Sequence, residues 1–303
     1  MSKDSSGSTI NSVSPISNAL INLIFIIFSL ACIVPLFLVL GISFSSEQSV
    51  LLQGYKFIPD EFGVGGYDYI LKQGAVIFKA YGVSLSVTIV GTLLSVIIIA
   101  MYAYAISRKD FKYRTQFTFL VFFTMVFNGG LVPWYIVYVK LVGVQNSYWA
   151  YIIPPLVNAW YVMIMRTFYQ TNVPDSIIES AKIDGAGEFR TWLQIVVPLA
   201  KPGLATIALF QTLAYWNEWF IPLMFIDDAA KYSLQYLMYK TLNSIQYLSS
   251  NTNFSGAGDV LSKLPAETAR MAMCILAIGP IVLAYPFFQK YFIKGLTVGA
   301  VKG

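Results

Sequence analysis

Between residues 19 and 40 the chain carries no charged side chain, and five more stretches of similar apolar character follow, at 82–106, 117–139, 148–168, 204–225 and 268–292. About 20 apolar residues cross the hydrocarbon core as a helix. In lipid every backbone N–H and C=O must be satisfied internally, which leaves helices or closed barrels. A barrel needs short alternating strands, and runs this long and continuous exclude it. The chain is therefore expected to be an all-α integral membrane protein with six transmembrane helices. Only 12% of its 303 residues are charged, against roughly 25% in a soluble domain.

An even number of spans places both termini on one side, and charge selects which. The link after the second span holds Arg108, Lys109, Lys112 and Arg114. Short basic loops stay in the cytoplasm, so both termini are expected to be cytoplasmic. The net charge of +5 then reports loop composition, and no nucleic-acid partner is implied. The 19–40 run is too long and too continuous for a cleaved signal peptide. The expected organisation is a polar cytoplasmic tail over 1–18, a six-helix transmembrane domain over 19–296 with outer loops at 45–81 and 226–267, and a cytoplasmic tail at 297–303.

There is no histidine, and the two cysteines, Cys32 and Cys274, lie inside apolar runs. They read as small packing residues, and no metal site is expected. The same inventory offers no convergent nucleophile, base or ligand set, so an enzyme is not expected.

The stretch 174–202 interrupts the apolar pattern. Pro174 and Asp175 suit a helix start. Ile177, Ile178 and Ala181 share a face that would pack inward or exchange that role with the polar face, and Glu179 lies roughly opposite. Gly185 suits the left-handed residue after a helix end. A second periodic run, Phe189, Trp192, Ile195 and Val196, ends at Pro198. Two short helices joined by a glycine turn are expected. By spacing alone they fit amphipathic helices resting on a membrane surface as well as a docking loop.

In the third span Asn128-Gly129-Gly130 and Pro133, and in the fourth Pro154-Pro155 and Asn158, are helix breakers. They fit either kinks at close helix packing or irregular backbone lining a transport path. The fifth span carries Gln211, Tyr215, Trp216, Asn217, Glu218 and Trp219. Glu218 would lie roughly 12 Å along the helix from its outer end. An unpaired carboxylate there is costly, so it must face a partner, the bundle interior or water. It fits either a satisfied packing group or, with the neighbouring rings and Asn217, the border of a sugar path. Sugars are bound by planar polar groups and aromatic faces.

Glu179-Ser180-Ala181, then Asp184-Gly185-Ala186, then Ile195 and Pro198, resemble the EAA loop of the permease subunits of bacterial ABC importers, with Ser180 in place of an alanine. Trp216-Asn217-Glu218-Trp219 with Pro222, Arg166-Thr167-Phe168, and Pro265 through Ala272 resemble the maltose-type carbohydrate permeases. Pro286 to Phe292 and Gly295 to Gly303 are similar to their complex-oligosaccharide branch.

The resemblance implies a type I ABC importer permease fold in the bacterial cell membrane, surrounded by lipid. It implies a second homologous permease subunit, two cytoplasmic ATPase subunits, and an extracellular sugar-binding (lipo)protein that delivers an oligosaccharide. The sequence contains no G-x-x-x-x-G-K-[ST] pattern. ATP and Mg are accordingly expected on the ATPase, with no cofactor on this chain. Glu179, Ser180, Ala181, Asp184, Gly185, Ala186, Ile195 and Pro198 would form the ATPase-docking loop, with Glu179 as the polar contact. Residues 297–303 would reach the ATPase interface. Asn217, Glu218, Trp216, Trp219, Tyr215 and Asn158 would border the substrate pathway. A permease for a non-sugar solute of the same class, and a secondary transporter, are the alternatives. The second would need coupling carboxylates and inverted repeats; Glu218 is the only carboxylate well inside an expected span, and no repeat is visible.

Overall fold

The computed structural model describes residues 14–72, 74–250 and 266–300. The expectations for residues 1–13, 251–258 and 301–303 lie outside them. Among the described residues the chain is helical throughout, with one isolated antiparallel bridge, Ser45 to Phe62. It divides into two units: Met1–Tyr69 with Ser262–Ile275, and Ile70–Leu261 with Leu276–Gly303.

In the first unit, α1 (Pro15–Ser43) exposes its side chains over 16–37, apolar on every side, as a lipid-facing helix requires. Cys32 is exposed there, so it does not serve as the packing residue expected of it. Gly41 at the end of α1 lies so close to the Phe57 carbonyl that an added Cβ would come within 2.3 Å of its oxygen. A short helix, α2 (Glu47–Gln53), follows, its Ser46 cap accepting from Ser49 N at 3.2 Å. From α2, Glu47 accepts from Glu267 N at 2.9 Å, Thr268 N at 3.0 Å and the Thr268 hydroxyl at 2.7 Å. It thus caps, from a distance in sequence, the helix that begins at Ala266.

The second unit is built on α4 (Gly74–Ser107), which follows α3 (Gly65–Lys72). It packs against α8 (Ala159–Asn172) and α12 (Lys201–Trp216). Ile99, Ala103, Val162, Met165, Val196 and Ile207 are buried together there. Small residues let these helices approach closely. Gly91 lies against the Tyr215 ring and Gly203 against the Phe168 ring, where a Cβ would come within 2.6 and 2.8 Å.

Among the described residues three helices are long and apolar enough to cross a membrane, α1, α4 and the first part of α15 (Ala266–Ala300), or up to five if each bent helix pair is one span. The third, fourth and fifth expected spans are not continuous helices among the described residues, and the 148–168 region supplies no helix long enough to count as a span. The third divides into α5 (Arg114–Val126) and α6 (Leu131–Ile136), the latter continued by a π turn to Val142; the two parts meet at 119°. The break is at Asn128-Gly129-Gly130: Gly130 has φ +86°, and Asn128 Oδ1 accepts from Gly130 N at 2.8 Å.

The fourth becomes a single turn, α7 (Trp149–Ile152), an irregular stretch over 153–158, and α8, whose 14 residues span about 21 Å. Pro154-Pro155 offers no N–H to continue α7. The fifth breaks between α12 and α13 (Phe220–Phe225). After a 3-10 turn, Ala229–Lys231, α14 runs from Leu234 to Ser250.

Candidate coupling loop and transport pathway

The interruption at 174–202 folds as two helical pieces around a turn, α9 (Asp175–Ile183) and α10 (Glu188–Thr191). Pro174, without an N–H, stands at the cap, and Asp175 opens the first turn. The end of α9 is a Schellman turn: Ala186 N donates to Ala181 O at 2.9 Å and Gly185 N to Lys182 O at 3.0 Å. Gly185 has φ +77°, which a β-carbon would disfavour. The expected helix, glycine turn and second helix are therefore present.

After α10 the ladder widens into a π turn, Trp192–Val196, in which Val197 N donates to Trp192 O five residues back. Pro198, in the short α11 (Val197–Leu199), has no N–H to restore the regular register. This piece meets α12 at 83°.

One face of the loop packs and the other is open. Ile178, Ala181, Trp192 and Val196 are buried, and Ile195 and Ala186 are half-buried. Ile177 was expected inward with Ile178 and Ala181, but it is 39% exposed: it points roughly 100° away from its neighbour Ile178, outside the packed stripe. Glu179, Ser180, Asp184, Gly185 and Pro198 are exposed. The Ser180 hydroxyl bonds back to Ser176 O at 2.9 Å. Among the described residues Glu179 enters no ion pair. Ile183, one turn on along α9, and Phe189 on α10 are 86% and 62% exposed. Asp184, also exposed, likewise enters no ion pair among the described residues, so the open face combines two unpaired carboxylates with apolar side chains.

The loop is held by a charge network that sequence reading missed. Lys109 Nζ lies 2.7 Å from Asp175 Oδ2 and Arg108 NH1 3.6 Å from Asp175 Oδ1. Lys182 bridges Asp110 and Glu188, and the Tyr104 hydroxyl donates to Glu188 Oε2 at 3.1 Å. The hydrogen bond from Lys109 holds the Asp175 carboxyl below its usual range, and that from Lys182 does the same for Asp110. The two carboxylates in turn raise Lys182, Asp110 most. The only sequence signal was opposite charge in two segments far apart, and charge without spacing does not specify a pair.

The polar cluster of the fifth span divides into buried ties and open groups. Gln211 donates to Ser95 Oγ and, at 3.3 Å, to Pro155 O, while Ser95 Oγ donates to Leu156 O at 2.6 Å. The Tyr215 hydroxyl reaches Ile152 O at 3.0 Å. Together they satisfy carbonyls that the irregular 153–158 stretch leaves free, which is the condition for such backbone at membrane depth. Trp216 Nε1 donates to Ala277 O at 3.0 Å. Tyr215 and Trp216 are each 3% exposed, so this chain packs both of them.

Glu218 is not inside a continuous helix. It sits at the break after α12, and its Oε1 accepts from Phe220 N and Ile221 N at 2.8 Å each, capping α13. Asn217 is exposed, bonded back to Leu213 O at 2.9 Å. Trp219 stacks on Tyr239 at 4.4 Å. Asn158 caps α8, accepting from Trp160 N at 2.9 Å.

Residues 113–298 match the model of the binding-protein-dependent transport system inner membrane component family. The chain is 37% identical over 278 residues, 92% of its length and 95% of the relative's, to the polygalacturonan/rhamnogalacturonan transport system permease protein YtcP of Bacillus subtilis. It is 34% identical to protein LplC of the same organism, over 89% of this chain and 90% of that one. A solved structure, that of a bacterial ABC transporter involved in the import of the acidic polysaccharide alginate, superimposes with a TM-score of 0.78 at 29% identity, covering 93% of this chain and 99% of that one. The chain thus belongs to the binding-protein-dependent transport inner membrane components: it is a non-enzymatic, multi-pass permease subunit of an ABC importer in the cell membrane, working with a solute-binding protein and an ATPase.

Proposed function

We propose that this chain is one of two permease subunits of an importer for an oligosaccharide, which an extracellular sugar-binding lipoprotein delivers. A second, homologous permease completes the pathway, and two cytoplasmic ATPase subunits carry ATP and Mg. The observation that supports the carbohydrate reading best is that relatives matched over most of this chain are named for polygalacturonan/rhamnogalacturonan and arabinooligosaccharide transport.

The open face of α9 and α10 is the seat for the ATPase. Glu179 supplies the polar contact and Ile183 and Phe189 the apolar one. Ile178, Trp192 and Val196, buried in one cluster with residues of α4 and α8, tie any displacement of this loop to those helices. When ATP draws the ATPase domains together, the docked loops follow, and the helices shift between inward- and outward-open arrangements. ATP can bias that equilibrium only through its preference for one state. Asn217, Glu218 and Trp219 border the path, and this chain itself binds no cofactor.

Both termini are placed in the cytoplasm, supported by the bases of the 108–114 link and by Lys182, Arg190 and Lys201 in the docking loop. A cysteine at Lys112, exposed in this fold, should resist a membrane-impermeant thiol reagent added to intact cells; labelling from outside would reverse the topology. The function itself is tested by purifying the chain with its bound partners. A second permease, an ATPase and ATP turnover raised by an oligosaccharide with its binding protein are expected. Turnover raised instead by a peptide or polyamine would replace the carbohydrate reading.

A further inference from the structure

Tyr236, Tyr239, Lys240, Asn243 and Tyr247 recur along one face of α14 and line a cavity of about 600 Å³. Trp219 backs this wall by stacking on Tyr239, with ring planes 28° apart. The Lys240 ammonium lies 4.8 Å from the centre of the Tyr232 ring and donates to the Tyr232 hydroxyl at 3.2 Å. Among the described residues no acidic side chain lines the cavity and Lys240 enters no ion pair. Among those residues, then, a cation is held on an aromatic surface with no carboxylate facing it.

We propose that this cavity is a subsite for a sugar that carries a carboxylate, a uronate unit of the transported oligosaccharide. The proposal rests on the carbohydrate reading above and adds the chemical class of the sugar and the residues that meet it. Pyranose rings present C–H faces that lie on aromatic rings. The Asn243 amide offers both a donor and an acceptor to ring hydroxyls. The carboxylate takes a charge-assisted hydrogen bond from Lys240. A neutral sugar would use the rings and the amide and leave the ammonium unmatched.

The test is uptake by the complete importer, with its binding protein and ATPase, reconstituted in vesicles. The probes are a galacturonic acid trisaccharide and the methyl ester of the same trisaccharide. The binding protein is identical in every sample, so its own selectivity cancels when variants are compared. Lys240→Gln should lower the ratio of acid to ester uptake by about fivefold, the size of an exposed charge pair. Lys240→Arg should restore it, since guanidinium also recognises carboxylate. An unchanged ratio, or a loss shared equally by acid and ester, overturns the subsite; the second result would mean that Lys240 seats a protein partner. Uptake of neither probe by the unsubstituted importer would overturn the subsite and leave the carbohydrate reading standing; that reading falls only if a peptide or polyamine, and no oligosaccharide, raises ATP turnover.

Discussion

Lys182 and Glu188 face each other across the Gly185 turn, the ammonium 2.8 Å from Glu188 Oε1. The same ammonium holds Asp110 on the link after α4. One side chain thus fixes the angle between the two halves of the docking loop and ties both to the membrane helices. Exposed ion pairs contribute about 0–1 kcal/mol each, so the contribution is one of geometry more than stability. Lys182→Met should speed amide hydrogen exchange over 183–191 while changing overall stability by less than about 1 kcal/mol. Unaltered exchange would remove Lys182 from this role.

The network also has a pH window. Asp110 and Asp175 are lowered from 3.8, so their pairing is fully present above that value and is lost as pH falls through their folded values. Lys182 is raised from 10.5, so its share persists below 10.5 and is lost as pH rises through the folded value. Loop exchange rates, corrected for intrinsic chemistry, should be flat between these limits and rise only in stronger acid or base. A transition near neutrality would point to other groups.

Glu179 stands apart from this network and is exposed, as are Ile183 and Phe189. Glu179→Lys should leave folding intact and lower substrate-stimulated ATP turnover roughly tenfold, because reversing charge at a docked surface places like charges together. Turnover at the unsubstituted rate, with the ATPase still bound, would move the docking contact elsewhere.

Glu218 offers a separation between cap and pathway. Its Oε1 accepts two backbone N–H groups at the start of α13, and a glutamine can supply the same acceptor. Glu218→Ala should destabilise by about 1 kcal/mol; Glu218→Gln should retain most stability and most uptake. Loss of uptake by the glutamine variant at unchanged stability would show that the negative charge itself serves transport.

Gln211 is 1% exposed and donates to Ser95 Oγ and Pro155 O. Gln211→Leu should cost about 1–3 kcal/mol by leaving buried acceptors unmatched. A melting temperature unchanged by the substitution would show that the 153–158 stretch is satisfied by other means.

The helical membrane class, the turn at Gly185 and the breaks at Asn128-Gly129-Gly130 and Pro154-Pro155 were determined by the sequence alone, because each depends on local chemistry: apolar length, a left-handed φ, a missing N–H. Its spacing also placed Ile178 and Ala181 on a buried face, and erred at Ile177 because periodicity does not fix the width of a stripe. Only the tertiary structure decided that Lys182 bridges Asp110 and Glu188, that Gln211 and Tyr215 satisfy the broken fourth span, and that Glu218 caps α13. It also decided that Lys240 lies at a tyrosine-lined cavity, bonded to the Tyr232 hydroxyl. These pairings join residues brought together by helix packing, and no repeat or period along the chain encodes which distant donor will meet which acceptor.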